Sequence, residues 1–369
     1  HRIWPLPTRV GRGQIRCMTQ IVRPRDAAEL AVLMPYQLGF HPGPSVCLTL
    51  MRERRLGLLQ RHDLVVEPDV ARRVAAEAVA IALREGASSV LLMAFEDDEG
   101  QSLALRAAMT AAALEAGLPV HQHLVVRDGH CHTVDGPGAG RALRLPRPED
   151  VPAVAPFVEA GVCPVPSRDH LVRGVLAERD ETRAAAVAVA ASPLGVRPRV
   201  PEIATAWTRL LDPDAGARPV GDLADRDLLV IARSLQLVPW RDALLAVLCP
   251  GTMPLTGVDE HWISLALEVT RWCPWVLGDD ELVPEVGEHH DGVLAVRTRL
   301  LELARLVPAE LTPPLLTCAA HLAWWTGDGT VTGVCLERAL QVDPDYRLAG
   351  LMLELLSHGV RPWETPRVA

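Results

Sequence analysis

The chain has 369 residues, a formal net charge of −9 and a hydrophobic content of 49%. That length and apolar content allow two domains with real cores and rule out general disorder. The negative balance argues against nonspecific nucleic-acid binding, and no apolar run approaches the roughly 18–20 residues a membrane-spanning helix needs.

Residues 1–17 carry Arg2, Arg9, Arg12 and Arg16 with no acid and show no helix or strand period. They read as a disordered upstream extension, with Met18 as the domain start; a basic arm that grips a partner is the sharper alternative. All 37 basic residues are arginine, which a GC-rich genome explains without invoking function. Arg25 to Met34 predicts a short helix with Asp26 at its positive end. Pro35 to Pro42, with two prolines and a glycine, predicts a fixed turn. Val46 to Met51 and Leu56 to Leu64 are apolar runs around the charged turn Arg52 to Arg55, the pattern of a β-hairpin. Pro68 then opens a helix with Val70, Val74, Ala78, Ile81 and Ala82 on one stripe, ended by Gly86. Ser89 to Phe95 is unbroken in its apolar character, as in a central strand covered on both faces. A helix over Gln101 to Ala116 follows. Val120 to Arg127 and His130 to Val134 are strands joined by Asp128-Gly129, a dipeptide suited to a two-residue turn with positive φ at both positions. Together these elements predict one mixed sheet with helices on it.

Pro137 to Pro148 is rich in Gly, Pro and Arg and marks a boundary near residue 145. The predicted organisation is an extension at 1–17, a mixed α/β domain at 18–145 and a mainly helical domain at 146–369. Helices are predicted over Glu149 to Ala160, Ser167 to Glu178 and Glu181 to Ala191, then from Pro201 onward over Asp222 to Leu237, Trp240 to Leu248, Asp259 to Cys273, Val293 to Val307 and Leu315 to Trp325. Eight of the nine tryptophans lie from Trp207 onward, which predicts a separate core built on large aromatics. Leu336 to Tyr346 with Ala349 has the grammar of a tetratricopeptide-like helical hairpin, with Pro344 starting the next helix. Only one such unit is present, and an array needs about three.

The eight cysteines show no two-residue spacing of the zinc or redox kind, and several lie in apolar stretches. Without a secretory signal they favour the reducing cytoplasm. The hairpin register puts His121, His123, His130 and His132 on one face, where His121, His123 and His132 can hold zinc or another divalent metal. The same pattern also fits the solvated polar face of an edge hairpin. Glu96, Asp97 and Asp98, in the run Glu96 to Glu99, follow the central strand, where carboxylates can bind a cofactor cation such as Mg²⁺. They equally suit a helix N-terminus. His289-His290-Asp291 reads as a helix start capped by Asp291, with Glu285 and Glu288 nearby. No phosphate loop, dinucleotide fingerprint or nucleophile elbow is present.

Leu38-Gly-Phe-His-Pro42 followed by Ser45 and an apolar strand resembles the opening of an uncharacterised actinobacterial family, the domain of unknown function numbered four-one-nine-two. Ser167-Arg168, Trp240-Arg241-Asp242-Ala243-Leu244, Gly327-Asp328-Gly329 to Leu336-Glu-Arg-Ala-Leu340, and Asp343-Pro344-Asp345-Tyr346 are similar to it as well. The likeness runs over about residues 18–363 and implies no activity. This chain departs from the family at His130-Cys131-His132, where aromatics are usual, and at Asp135 to Gly140, so anything built on those histidines is particular to it.

The expected fold class is therefore α+β, a mixed α/β sheet domain followed by a mostly α-helical domain. The expected function is that of a cytoplasmic, non-catalytic protein binding a protein partner or a small ligand. The alternative is a metal-dependent enzyme, a hydrolase using the hairpin histidines or the acidic loop.

Overall fold

The computed structural model describes residues 4–5, 21–22, 24–52, 55–136, 138–159, 162–190, 197–212, 219–276, 290–360 and 362. The chain divides into two compact units after Leu171. Apart from Trp4–Pro5 (β1), which pairs antiparallel with Ile21–Val22 (β2), the basic segment at 1–17 lies outside the described residues.

The first unit is built on a six-stranded sheet. Ser45–Arg52 (β3) and Arg55–Asp63 (β4) form the expected antiparallel hairpin. Ser89–Phe95 (β5) runs antiparallel to β3 and parallel to Val120–Arg127 (β6). His130–Thr133 (β7) returns beside β6, and Ala142–Arg144 (β8) returns beside β7, giving the order β4-β3-β5-β6-β7-β8. The turn behaves as its residues require: Asp128 and Gly129 have φ of 49° and 68°, and Arg127 faces His130 while Val125 faces His132. The β6–β7 hairpin is not the sheet edge, however, because β8 covers it. Three residues between proline and glycine clusters carry too little periodicity to announce a strand.

Both faces of the sheet are covered at its central strands, as the apolar run of β5 demands. Pro68–Arg84 (α2) and Leu103–Glu115 (α3) bury one face, where Val46, Leu48, Leu92 and Val125 meet Ala75, Ala78, Leu105 and Met109. The α2 residues turned inward are mainly alanines (Ala71, Ala75, Ala78, Ala82), while Val70 and Ile81 sit at the flanks, so the helix lies close to the strands. Ala27–Leu38 (α1) covers the other face against Cys47, Met93, Leu124 and Cys131. Asp26 caps α1 by accepting from the N–H groups of Ala28 and Glu29 at 2.9 and 3.0 Å. The helix runs on through Pro35 and stops only at Gly39, whose φ is 78°. The turn predicted at Pro35 is thus a helical turn: buried packing of Leu33, Met34 and Pro35 outweighs the hydrogen bond that proline cannot donate. Two 3-10 turns at Pro148–Asp150 and Pro152–Val154 and the short helix Ala155–Glu159 (α4) replace the single helix expected there. Val151, Val154 and Phe157 join the α1 core.

The second unit is helical among its described residues. After Arg168–Val175 (α5), which straddles the division, come Glu181–Ala190 (α6), Val200–Leu211 (α7), Asp225–Ser234 (α8), Val238–Leu248 (α9) and Glu260–Val269 (α10). His290–Leu306 (α11), Thr312–Trp325 (α12), Gly329–Val342 (α13) and Arg347–Ser357 (α14) complete it. Its core is aromatic, with Trp207, Trp240 and Trp275 almost wholly buried. Each indole finds an acceptor, as buried N–H groups must: Trp207 and Trp240 donate to Ser234, and Trp275 to the Leu248 carbonyl. Gly292 lies under the Trp275 ring, where a Cβ would come within 2.6 Å of a ring carbon. Asp291 stands in the first turn of α11 rather than capping it, still at the positive helix end; His289 is outside the described residues. Pro344 precedes α14 by three residues and does not start it.

Candidate functional site

β5 and β6 are the parallel neighbours of the sheet, and open α/β sheets place ligands at the carboxyl ends of such strands. Here the acidic run lies between β5 and α3, and the structure divides it. Glu96 turns inward and is 6% exposed, whereas Asp97, Asp98 and Glu99 face solvent. The Glu96 carboxylate accepts from the Ser102 N–H at 2.9 Å, the Ser102 hydroxyl at 2.6 Å, the Gly100 N–H at 3.2 Å and the Arg127 guanidinium at 3.0 Å. Burial alone would raise its pKa, but these donors together outweigh burial and hold the carboxyl below its ordinary value. Glu96 therefore satisfies the amides that lead into α3. Gln101 closes the loop from the other side, its side-chain oxygen accepting from the N–H groups of Asp97 and Asp98 at 3.0 and 3.3 Å. Arg127 also reaches Glu99 and Asp128 at 3.5 and 3.7 Å.

Replacing Glu96 by glutamine is expected to lower the stability of the first unit by about 2 kcal/mol at pH 7, because the amide keeps the shape but removes the charge that pairs with Arg127. Since the folded carboxyl is held low, this stabilisation is present above the ordinary carboxylate range and is lost as pH falls below it. Urea unfolding at pH 7 and pH 3 checks this: the gap between the two proteins closes at the lower pH, and an equal gap at both would refute the ionic role.

The hairpin histidines do not form one solvated face. His121 is exposed and His132 half-buried, but His123 is 4% exposed and lies beneath α3. α3 packs over β6 at His123, whereas His121 falls at a register break, where Val90 faces Val120 and Leu91 faces Gln122, and His132 on β7 lies beyond the helix. His123 Nδ1 lies 3.1 Å from an Asp135 oxygen, and Nε2 lies 3.4 Å from the Arg106 guanidinium. Arginine can only donate, so Nε2 accepts and Nδ1 carries the proton toward Asp135. Desolvation lowers the His123 pKa, Asp135 opposes this and Arg106 adds to it; the net direction is down. Among the described residues no three His, Cys, Asp or Glu side chains converge closely enough to hold a metal ion. Sequence reasoning missed Arg106 and Asp135 as partners. The register gives a signal for Asp135, because Val134 donates to the His123 carbonyl and places the next residue beside it. Nothing in the spacing of α3 signals Arg106.

The stretches that carry the family resemblance also meet. Gly39 and His41 exchange backbone bonds with Val165, Phe40 is 2% exposed, and Ser167 Oγ accepts from the His170 N–H at the start of α5. In the second unit Arg241, held by Asp242, donates to the Tyr346 hydroxyl at 3.1 Å. Burial, reinforced by the nearby Cys318, pushes Tyr346 up to about 12 against the pull of Arg241. Asp328 caps α13 and pairs with Arg297 at 3.0 Å.

A mixed sheet covered by helices on both faces, followed by a helical unit with an aromatic core, defines an α+β protein. The model of the family described as Domain of unknown function (DUF4192) matches residues 28–363, and the chain belongs to that family. No curated protein and no solved structure matches it. Among the described residues no helix is long and apolar enough to cross a membrane.

Proposed function

We propose that this protein acts in the cytoplasm by binding a protein partner or a small ligand, without catalysing a reaction. The observation that carries this reading is Glu96. The buried acid at the strand end accepts from four protein donors and is held ionised, which suits a rigid frame better than proton transfer near neutral pH. Asp97 and Asp98 project from that frame and offer negative charge to a cationic surface or ligand group. Burial pushes the thiols of Cys47, Cys131, Cys273, Cys318 and Cys335 up to about 12, leaving little thiolate for nucleophilic attack. Free thiols also suit a reducing compartment.

A second reading, a metal-dependent hydrolase, is favoured by one contact. Asp135 orients His123 as outer carboxylates orient metal-ligating imidazoles. In that reading His121, His123 and His132 hold zinc or another divalent metal, or Glu96, Asp97 and Asp98 hold Mg²⁺, and Arg106 must first leave His123 Nε2.

The two readings separate in one experiment. Untagged protein is assayed with Mg²⁺, Mn²⁺ or Zn²⁺ against chromogenic phosphate and carboxylic esters, beside Glu96→Gln and His123→Ala. The binding reading expects no turnover above either variant, and a retained ligand or partner in native mass spectra. Metal-dependent turnover that disappears in either variant would overturn it.

A further inference from the structure

We infer that His130 and His132 form a two-imidazole chelate for a borderline divalent transition metal, on the open face of β7. The inference is independent of the binding reading above and differs from the three-histidine arrangement, because it leaves the buried His123 out.

Three observations converge on the pair. First, residues two apart on a strand point to the same face, and His130 and His132 flank Cys131, whose side chain turns the other way into the α1 core. Both imidazoles are half-buried, with enough exposure for an ion to reach them. Second, their ring centroids are 6.3 Å apart. A metal bonded to both rings at about 2.0–2.1 Å per nitrogen lies roughly 3.2 Å from each centroid, so one ion can bridge centroids up to roughly 6.4 Å apart. That limit is a straight nitrogen–metal–nitrogen line; a cis chelate, with centroids roughly 4.5–5.2 Å apart, needs the two rings to swing together by about 1–2 Å through side-chain rotation. Third, His130 Nδ1 lies 2.7 Å from the Asp128 carbonyl oxygen. A carbonyl only accepts, so Nδ1 carries the proton, and in the neutral ring Nε2 is left with its lone pair. Metal-ligating histidines characteristically donate the other ring N–H to a carbonyl or carboxylate in this way. The Asp128-Gly129 turn, with φ positive at both positions, presents that carbonyl.

Arg127 lies directly across from His130, and its charge would repel a cation. It is drawn instead to the strand end by Glu96, Glu99 and Asp128. Arg144, across from His130 on the other side, is exposed and screened by water. No third protein donor joins among the described residues, so water fills the remaining positions. Two imidazole nitrogens with water suit Cu²⁺ first, then Ni²⁺ or Zn²⁺, following the general order of affinity.

The test is a Cu²⁺ titration of the untagged full chain, followed by calorimetry and electron paramagnetic resonance. The His130→Ala/His132→Ala protein gives the background from other imidazoles and the N-terminus. The expected result is one equivalent above that background, with two imidazole nitrogens in the copper spectrum. Either single variant should weaken that equivalent more than the roughly 10-fold that loss of an outer-shell partner costs. His121→Ala and His123→Ala should leave it unchanged. Equal isotherms for the natural and double-variant proteins would overturn the inference, and so would loss of the equivalent in His123→Ala. Thermal unfolding of each variant without metal separates lost ligands from lost fold.

Discussion

Replacing Ser234 by alanine is expected to destabilise the helical unit by about 2–4 kcal/mol, a large effect for removing one oxygen. Ser234 closes α8 with no exposed surface, and its hydroxyl donates to the Ile231 carbonyl at 2.7 Å. Its lone pairs accept from two indoles, Trp207 at 2.9 Å and Trp240 at 3.1 Å. Both rings are fully buried and meet edge to face with centroids 6.0 Å apart. Alanine removes the acceptor but keeps the rings in place, so two buried N–H groups lose their partner and neither can reach water. The penalty comes from desolvated donors rather than from lost volume, which is about that of one oxygen. Urea unfolding followed by tryptophan fluorescence measures it. A loss under about 1 kcal/mol would mean that another acceptor, such as a buried water, takes over the indoles.

The second large effect concerns acid. His321 in α12 is buried, and its Nε2 lies 2.9 Å from the Thr252 hydroxyl oxygen. That hydroxyl already donates to the Cys249 carbonyl at 2.7 Å, so it accepts from His321, and Nδ1 keeps a lone pair with no protein partner. Desolvation lowers the pKa from the ordinary 6.5 to about 4. Above pH 6.5 the imidazole is neutral in the folded and unfolded chain alike and makes no pH-dependent difference. Between 6.5 and 4 the unfolded chain takes a proton that the folded protein refuses, so stability declines as pH falls. By about pH 4 the loss from this one group reaches about 3 kcal/mol. Carboxylates add their own acid dependence, so the measurement is a difference. Unfolding free energies at pH 7 and pH 5 are compared for the natural protein and His321→Gln. The natural protein should lose about 2 kcal/mol more over that interval. Equal losses would show that His321 protonates in the folded state without cost.

Local chemistry made much of the first unit legible. The buried strand Ser89–Phe95 coincides with its apolar run, because a strand covered on both faces has no polar position to spare. The Asp128-Gly129 turn fixed the hairpin register, since few other residues accept φ of 49° and 68° in succession. Gly86 ends α2 in the left-handed conformation for the same reason. Pro35 misled, because the rule that proline breaks a helix weighs one hydrogen bond and ignores the buried residues on either side. The β8 strand was silent: three residues have no period.

The candidate site shows the same division more sharply. Spacing alone placed Glu96 to Glu99 after the central strand and put His123, His130 and His132 on one face of the hairpin, whereas His121 falls at a register break in the β5–β6 pairing. Packing between elements turns Glu96 inward to Ser102 and Arg127, buries His123 under α3 against Arg106 and Asp135, and leaves His130 and His132 half-exposed beside it. It likewise brought Arg241 to Tyr346 and two indoles to Ser234. Backbone rules act over a few residues and leave a trace in spacing. A hydrogen bond between side chains 31 or 105 positions apart leaves none, because it depends on how whole elements pack.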